Sequence, residues 1–205
     1  MIKLHHLNQS RSMRIIWLLE ELEVDYQIVP YQRDNVSFLA PPELKSVHPL
    51  GKSPVIEEDG RVITESGAIT EYLIEKYAPT QLAPEKQSPE YIDYLQWLHF
   101  AESSAILPLL LKVFIAKDGA PTNFVADYAD AEIKKVMTYV NERLEGKTYL
   151  VEERLTGADI MMSFVFDVLT KFGLLEHYPN IARYQQQLAQ HPCYQKALEL
   201  EVKYG

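Results

Sequence analysis

The spacing of apolar residues changes along this chain, and the changes divide it. Residues 2–7 (IKLHHL) alternate in part and read as a short strand. From Ser12 to Glu23 the apolar residues Met13, Ile16, Trp17, Leu19 and Leu22 recur at helical spacing. Residues 26–29 read as a second strand, ended by Pro30. Residues 31–50 are irregular, with Pro41, Pro42 and Pro49; 42–47 has room for a helical turn or two. Val55-Ile56 and Val62-Ile63 then flank Asp59-Gly60, a pair suited to the positive φ of a tight hairpin. Ile69, Tyr72, Leu73 and Tyr77 mark a helix over 66–77. The order is β-α-β followed by β-β-α. A helix between two strands implies a right-handed parallel unit, to which the hairpin adds an antiparallel edge.

Residues 78–89 (APTQLAPEKQSP) hold three prolines and read as a linker. Beyond it every pattern is helical. Residues 90–117 form a long helix, expected to bend at Pro108. Residues 124–145 carry Val125, Tyr128, Ile133, Val136, Val140 and Leu144 on one side, with Gly146 as a suitable C-terminal cap. Thr156-Gly157-Ala158-Asp159 is a capping-box variant that opens a helix to Phe172. Pro179 and Pro192 each open a further helix, where the missing N–H costs nothing. The fold class is a small α/β domain over 1–77, a linker over 78–89 and an all-helical domain over 90–205.

Composition narrows the function classes. Of the 205 residues 47% are apolar and 24% charged, values that argue against disorder. The net charge is -9, which disfavours binding to a phosphate backbone, so no nucleic-acid partner is expected. The single cysteine, Cys193, excludes an internal disulfide, a CxxC pair and a Cys-based zinc cluster, and fits a reducing cytoplasm. The most apolar stretch, 104–116, is short and contains Pro108 and Lys112, so no membrane span is expected. The first ten residues turn polar too early for a signal peptide. His5 and His6 are adjacent on a strand and point to opposite faces, and no metal site is expected.

Three blocks in this layout, SRSMRIIWLLEEL, HPLGKSPVIEEDG and TESGAITEYLIEKY, carry a family resemblance, and LTGADIMMSFVF in the second domain supports it. Together they resemble the cytosolic glutathione S-transferases over essentially the whole chain, nearest to the serine-type bacterial and fungal branches. The resemblance implies a thioredoxin-like first domain with glutathione as co-substrate, a small electrophile as second substrate, and a homodimer.

It also implies roles. Pro54 is expected cis, so that the backbone of Ser53 pairs with the cysteinyl unit of glutathione like a short strand. Relatives often carry an aliphatic residue at that position, so replacing Ser53 is expected to be tolerated. Glu65 and Ser66 are expected to hold the γ-glutamyl end, the acid on the ammonium and Ser66 with the helix N-terminus on the carboxylate; Ser66 also suits a plain N-cap. Lys52 is a candidate for the glycine carboxylate, or a solvated lysine. His48 is a candidate contact, or a stabiliser of the HPLGK turn.

Thiol activation falls to the loop after the first strand. A free thiol has a pKa of about 8.5, so a donor to the sulfur must favour the thiolate. Lowering it two units takes about 2.7 kcal/mol, and one hydrogen bond to a charged group supplies about 1.5–3 kcal/mol. Ser10 is the first candidate, four residues before Arg14. Ser12, which is also placed to cap the helix, Asn8 and Gln9 are alternatives. Arg11 and Arg14 add positive potential or are a solvated helix start.

The electrophile pocket implied by the family lies between the domains, lined by Phe100, Ser103, Ser104, Leu107, Leu111 and Phe114, with Tyr204 reaching in; helical spacing also suits these residues to a core. Glu102 is a solvated glutamate or reaches a partner's ligand. Asp159 reads as a capping partner. The leading activity is conjugation of the glutathione thiolate to small apolar electrophiles, as in detoxification. The alternatives are glutathione-dependent peroxide or disulfide reduction, and a non-catalytic binding protein on the same fold. The loop holds no cysteine, which argues against thiol exchange by the protein's own sulfur.

Overall fold

A computed structural model describes residues 1–205, in two units: residues 1–83 with 189–205, and residues 84–188. The first unit is built on a sheet of four strands, β1 (Ile2–Leu7), β2 (Tyr26–Tyr31), β3 (Val55–Glu58) and β4 (Arg61–Thr64), in the order β2-β1-β3-β4. β1 and β2 are parallel, with Ile2 opposite Tyr26. β3 is antiparallel to both of its neighbours, with His5 opposite Val55 and Val55 opposite Thr64. Asp59 and Gly60 take φ of 49° and 77° and close the hairpin as the residue types require. Pro30 lies inside β2 rather than ending it. β2 is an edge strand, where a missing N–H is tolerated.

Helices α1 (Ser12–Glu21) and α3 (Ser66–Tyr77) pack on the sheet and on each other, and α2 (Leu44–Val47) is a single turn. The core between them holds Leu4, Ile16, Leu19, Ile56, Ile69 and Leu73, all fully buried. Buried Glu58 ties the hairpin to α3 by accepting from the Tyr72 hydroxyl at 2.7 Å, the Tyr77 hydroxyl and Lys76.

The last helix, α9 (Pro192–Tyr204), belongs to this first unit, although it was read as part of an all-helical domain running to residue 205. It packs on α1, where the Trp17 ring meets Tyr194 edge-on at 4.9 Å between centroids. Helical periodicity identifies the buried face of α9 but not the surface that covers it.

The second unit contains α4 (Pro89–Phe100), a π-helical turn at Ala101–Ala105, α5 (Ile106–Asp118), α6 (Val125–Arg143), α7 (Gly157–Lys171), a 3₁₀ turn at Leu175–His177 and α8 (Pro179–Ala189). The irregularity expected at Pro108 lies one turn earlier. Proline offers no N–H to the carbonyl four residues back, here Ser104, and its ring crowds that carbonyl, so the distortion falls in the preceding turn. The continuous run Pro89–Asp118 is 30 residues long, and by length and composition alone it is long and apolar enough to cross a membrane, unlike the shorter stretch read from the sequence. Its buried residues, among them Tyr94, Trp97, Leu98, Ala105 and Leu109, belong to the core of the second unit.

The capping box forms as its residues imply. The Asp159 carboxylate accepts from the Thr156 N–H at 2.7 Å, the Thr156 hydroxyl at 2.9 Å, the Leu150 N–H at 2.9 Å and the Tyr184 hydroxyl.

Candidate active site

The topology brings three separate stretches of sequence to one end of the sheet. β1 and β4 run the same way, with β3 antiparallel between them. The exit of β1, the entry to β3 and the exit of β4 therefore share an end, and α1 and α3 both start there. Two helix N-termini at one place favour an anionic ligand.

The β1–α1 loop is densely bonded. Ser10 is 5% exposed and Ser12 0%. The Ser10 hydroxyl accepts the Ser12 N–H at 3.1 Å, while the N-cap position of α1 is Arg11 and Ser12 is the first residue of the helix rather than its cap. The two hydroxyls lie 2.9 Å apart. Ser12 Oγ is also 2.6 Å from Nδ1 of buried His6 and 3.2 Å from the Leu7 carbonyl. Asn8 is half-buried, and its Oδ1 accepts the Arg33 N–H at 2.8 Å. Gln9 is exposed with φ of 50°, and its N–H donates to Glu201 on α9 at 2.7 Å.

Arg33 holds the loop by donating from Nε to the Asn8 carbonyl at 3.0 Å and from a terminal nitrogen to the Phe38 carbonyl at 2.9 Å. Burial lowers its pKa and the nearby Arg11 lowers it further, while Glu201 opposes both. Arg11 and Arg33 thus give the loop a positive edge in an acidic protein. Arg14 is fully buried rather than part of a solvated helix start.

At the entry to β3 the Ser53–Pro54 peptide is cis, as expected. The Ser53 side chain has its own task. Its hydroxyl accepts the Leu7 N–H at 3.1 Å and donates to the His5 carbonyl at 2.8 Å. The β1–β3 register stops at His5 opposite Val55, and the Ser53 hydroxyl takes up the Leu7 N–H beyond it. An aliphatic residue here would lose both bonds, so the Ser53 side chain has a structural task beside the backbone contact. Lys52 is exposed. His48 Nδ1 accepts the Leu50 N–H at 3.4 Å and its carbonyl accepts the Gly51 N–H at 2.8 Å, which braces the turn.

At the exit of β4, exposed Glu65 has φ of 66° and ψ of 113°, a conformation that costs a non-glycine residue about 1–3 kcal/mol and collects at ligand clamps. Ser66 is buried as the first residue of α3, and no side chain caps this helix. Its leading N–H groups are left for another acceptor.

The six candidates for the second substrate lie on the long rod of the second unit, and none is core. Ser103, Ser104, Leu107 and Phe114 are exposed, and Phe100 and Leu111 are half-buried. Phe100 packs against Trp97 and Tyr139. Half-exposed Glu102 is on the π-helical turn. Tyr204 ends α9 in the first unit, where its carbonyl accepts from Gln32 at 3.1 Å.

His5 and His6 face opposite ways: His5 bonds Tyr31 and Glu57, while His6 faces Ser12 and Glu201. One group of possible metal ligands, Glu21, His191 and Cys193, comes together within 4.8 Å. Its carboxylate is engaged by the Trp17 N–H and by His191, each at 2.7 Å. Burial, and then Glu21 and Glu20, push the Cys193 thiol up to about 11, away from the range of a reactive thiol.

Sequence reasoning did not single out His6, Arg33 or Glu201 for this loop. Glu201 is 192 residues from the Gln9 amide it accepts, and no local pattern links the two.

Comparison with known proteins agrees with this geometry. The family model described as glutathione S-transferase, N-terminal domain, matches residues 1–75, and the C-terminal domain model matches residues 104–192. Glutathione S-transferase 1 of Saccharomyces cerevisiae is 33% identical over 97% of this chain and 94% of its own length. The crystal structure of a glutathione S-transferase from Actinobacillus pleuropneumoniae superposes with a TM-score of 0.90 at 37% identity, over 98% of this chain and 93% of the other. A sphingomonad glutathione S-transferase solved in complex with glutathione shares the fold, with a TM-score of 0.80 at 23% identity over 98% of each chain. By sequence over nearly its full length, and by fold, this chain belongs to the glutathione S-transferase family of enzymes.

Proposed function

We propose that this enzyme binds glutathione at the shared end of the sheet, ionises its thiol there and conjugates it to small, apolar electrophiles. The carrying observation is the convergence of Ser10, Ser53–Pro54 and Glu65–Ser66 at one sheet end, beside an α3 N-terminus that no side chain caps. The α-carboxylate of glutathione is assigned to Ser66 and the leading N–H groups of α3, and the ammonium to Glu65. The cysteinyl backbone pairs with Ser53. Lys52 meets the glycine carboxylate, with His48 bracing the turn that carries it.

Ser10 is the assigned donor to the sulfur, with Ser12 and Asn8 as the other groups in reach of the loop. The positive ends of α1, Arg11 and Arg33 favour the thiolate. The sulfur attacks an electrophilic carbon, a C–S bond forms, and the leaving group departs with its electron pair. Holding both reactants together lowers the entropic part of the barrier. The exposed apolar residues Leu107 and Phe114, with Leu111, Phe100, Ser103 and Ser104, are the assigned contacts of the electrophile. A cytoplasmic homodimer with a role in detoxification completes the reading; exposed Val36, Leu39 and Leu50 are apolar surface of the kind a partner covers.

The test is calorimetric glutathione binding together with turnover of an aryl halide and a hydroperoxide. Glu65→Gln and Ser66→Ala are expected to weaken binding about tenfold each, near 1.4 kcal/mol. Aryl-halide conjugation is expected to exceed hydroperoxide reduction. Faster peroxide turnover would replace conjugation with reduction as the main activity, and binding without turnover of either substrate would leave a carrier on this fold.

A further inference from the structure

A buried chain of polar groups runs from α9 to the thiol-binding loop. Glu201 Oε2 is 3.3 Å from His6 Nε2, close enough for a strong electrostatic contact though not aligned as a hydrogen bond. His6 Nδ1 is 2.6 Å from Ser12 Oγ, and Ser12 Oγ is 2.9 Å from Ser10 Oγ. We infer that Glu201 and His6 are positioning residues that commit the Ser12 hydroxyl inward and so make Ser10 the donor to the glutathione sulfur. This rests on the reading above, in which a loop hydroxyl stabilises the thiolate.

A carboxylate offers only acceptor oxygens, so the neutral imidazole beside it carries its hydrogen on Nε2. Nδ1 is then a buried acceptor and must be satisfied. Ser12 has one proton and three acceptors in reach, Nδ1 at 2.6 Å, Ser10 Oγ at 2.9 Å and the Leu7 carbonyl at 3.2 Å; the nearest, which has no other donor, takes it. With that proton committed, Ser12 meets Ser10 only as an acceptor.

The Ser10 hydroxyl therefore rests on Ser12 Oγ and can turn. A thiolate draws it outward, because a hydrogen bond to a charged acceptor is stronger than one between neutral groups. Turning Ser12 instead would orphan Nδ1 of fully buried His6, at the desolvation cost of an unsatisfied acceptor. Burial agrees with this division, since Ser12 is sealed and Ser10 retains some surface. Burial also holds the His6 pKa down at about 4, so the ring is the neutral acceptor this arrangement needs at pH 7.

The experiment has two arms. In the first, nitrogen NMR of ¹⁵N-histidine-labelled protein without glutathione reads the His6 tautomer, with the resonance assigned by its loss in His6→Asn. The expected spectrum shows Nε2–H with a bare Nδ1 in the wild type and a tautomer mixture in Glu201→Gln. A wild-type Nδ1–H form or an imidazolium overturns the inference.

In the second arm the thiol of bound glutathione is titrated by thiolate absorbance. Ser10→Ala is expected to raise the midpoint by about two units, while Ser12→Ala and His6→Asn, whose Oδ1 can stand in for Nδ1, keep it within about half a unit. An equal rise in Ser10→Ala and Ser12→Ala overturns the inference while leaving the transferase reading intact. Wild-type glutathione bound with an unshifted thiol overturns the donor reading itself, whatever the tautomer.

Discussion

Replacing Asp159 tests how the second unit is held together. The carboxylate is fully buried and accepts four hydrogen bonds, two of them from the backbone N–H groups of Leu150 and Thr156. The Thr156 and Tyr184 hydroxyls can turn to other acceptors, but the two amides cannot. In Asp159→Ala both are orphaned, and a buried unsatisfied group costs about 1–3 kcal/mol, giving about 2–6 kcal/mol in all. In Asp159→Asn one carbonyl oxygen remains, so whichever way the amide is turned one backbone N–H faces an NH₂.

Burial raises the Asp159 pKa against the pull of its four donors, so removing the charge returns some desolvation energy. The asparagine variant is therefore expected to lose about 1–3 kcal/mol, and the alanine variant about twice that, of a total near 5–15 kcal/mol. Urea unfolding with an unchanged slope measures both. A midpoint for Asp159→Asn within about 0.5 kcal/mol of wild type would refute the bonding described here. Folded Asp159→Asn should keep its turnover number, because the carboxylate touches no reacting group.

Three further outcomes follow from other residues. Glu65→Gly removes the strain of a positive φ and is expected to stabilise the fold by about 1 kcal/mol while raising the KM for glutathione about tenfold, read by unfolding and steady-state kinetics. Ser53→Val leaves the Leu7 N–H unpaired and is expected to cost about 1–3 kcal/mol in urea unfolding, with a higher KM for glutathione.

The third concerns pH. Burial lowers the His6 pKa from 6.5 to about 4, so between those values the unfolded chain holds a proton that the folded chain lacks. Stability therefore falls as pH falls through that window, by up to about 2 kcal/mol between pH 6.5 and 5. His6→Asn should flatten the unfolding profile over that range.

What the sequence made legible was local. The hairpin was readable because Asp59-Gly60 names its own turn, and the capping box because Thr156 and Asp159 stand three residues apart. The parallel unit was readable because a helix pattern separates two strand patterns. The π-helical turn was displaced from Pro108 because proline acts on the carbonyl four residues behind it. Pro30 was misjudged because edge position is a property of the sheet and not of the strand.

The site divided in the same way. Ser10, Ser53 and Glu65–Ser66 could be named from short motifs. Arg33, His6 and Glu201 could not, because their roles arise from contacts that only the folded first unit creates. The second role of Ser53, as a hydroxyl that takes up the Leu7 N–H, also depends on where the β1–β3 register ends.

The central claim is that the shared sheet end ionises glutathione. The most direct measurement is the titration of bound glutathione by thiolate ultraviolet absorbance, in wild type and in Ser10→Ala. The account predicts a wild-type midpoint about two units below the free value of about 8.5, and a return toward that value in the variant. Glutathione that binds tightly with the midpoint of the free thiol would contradict it.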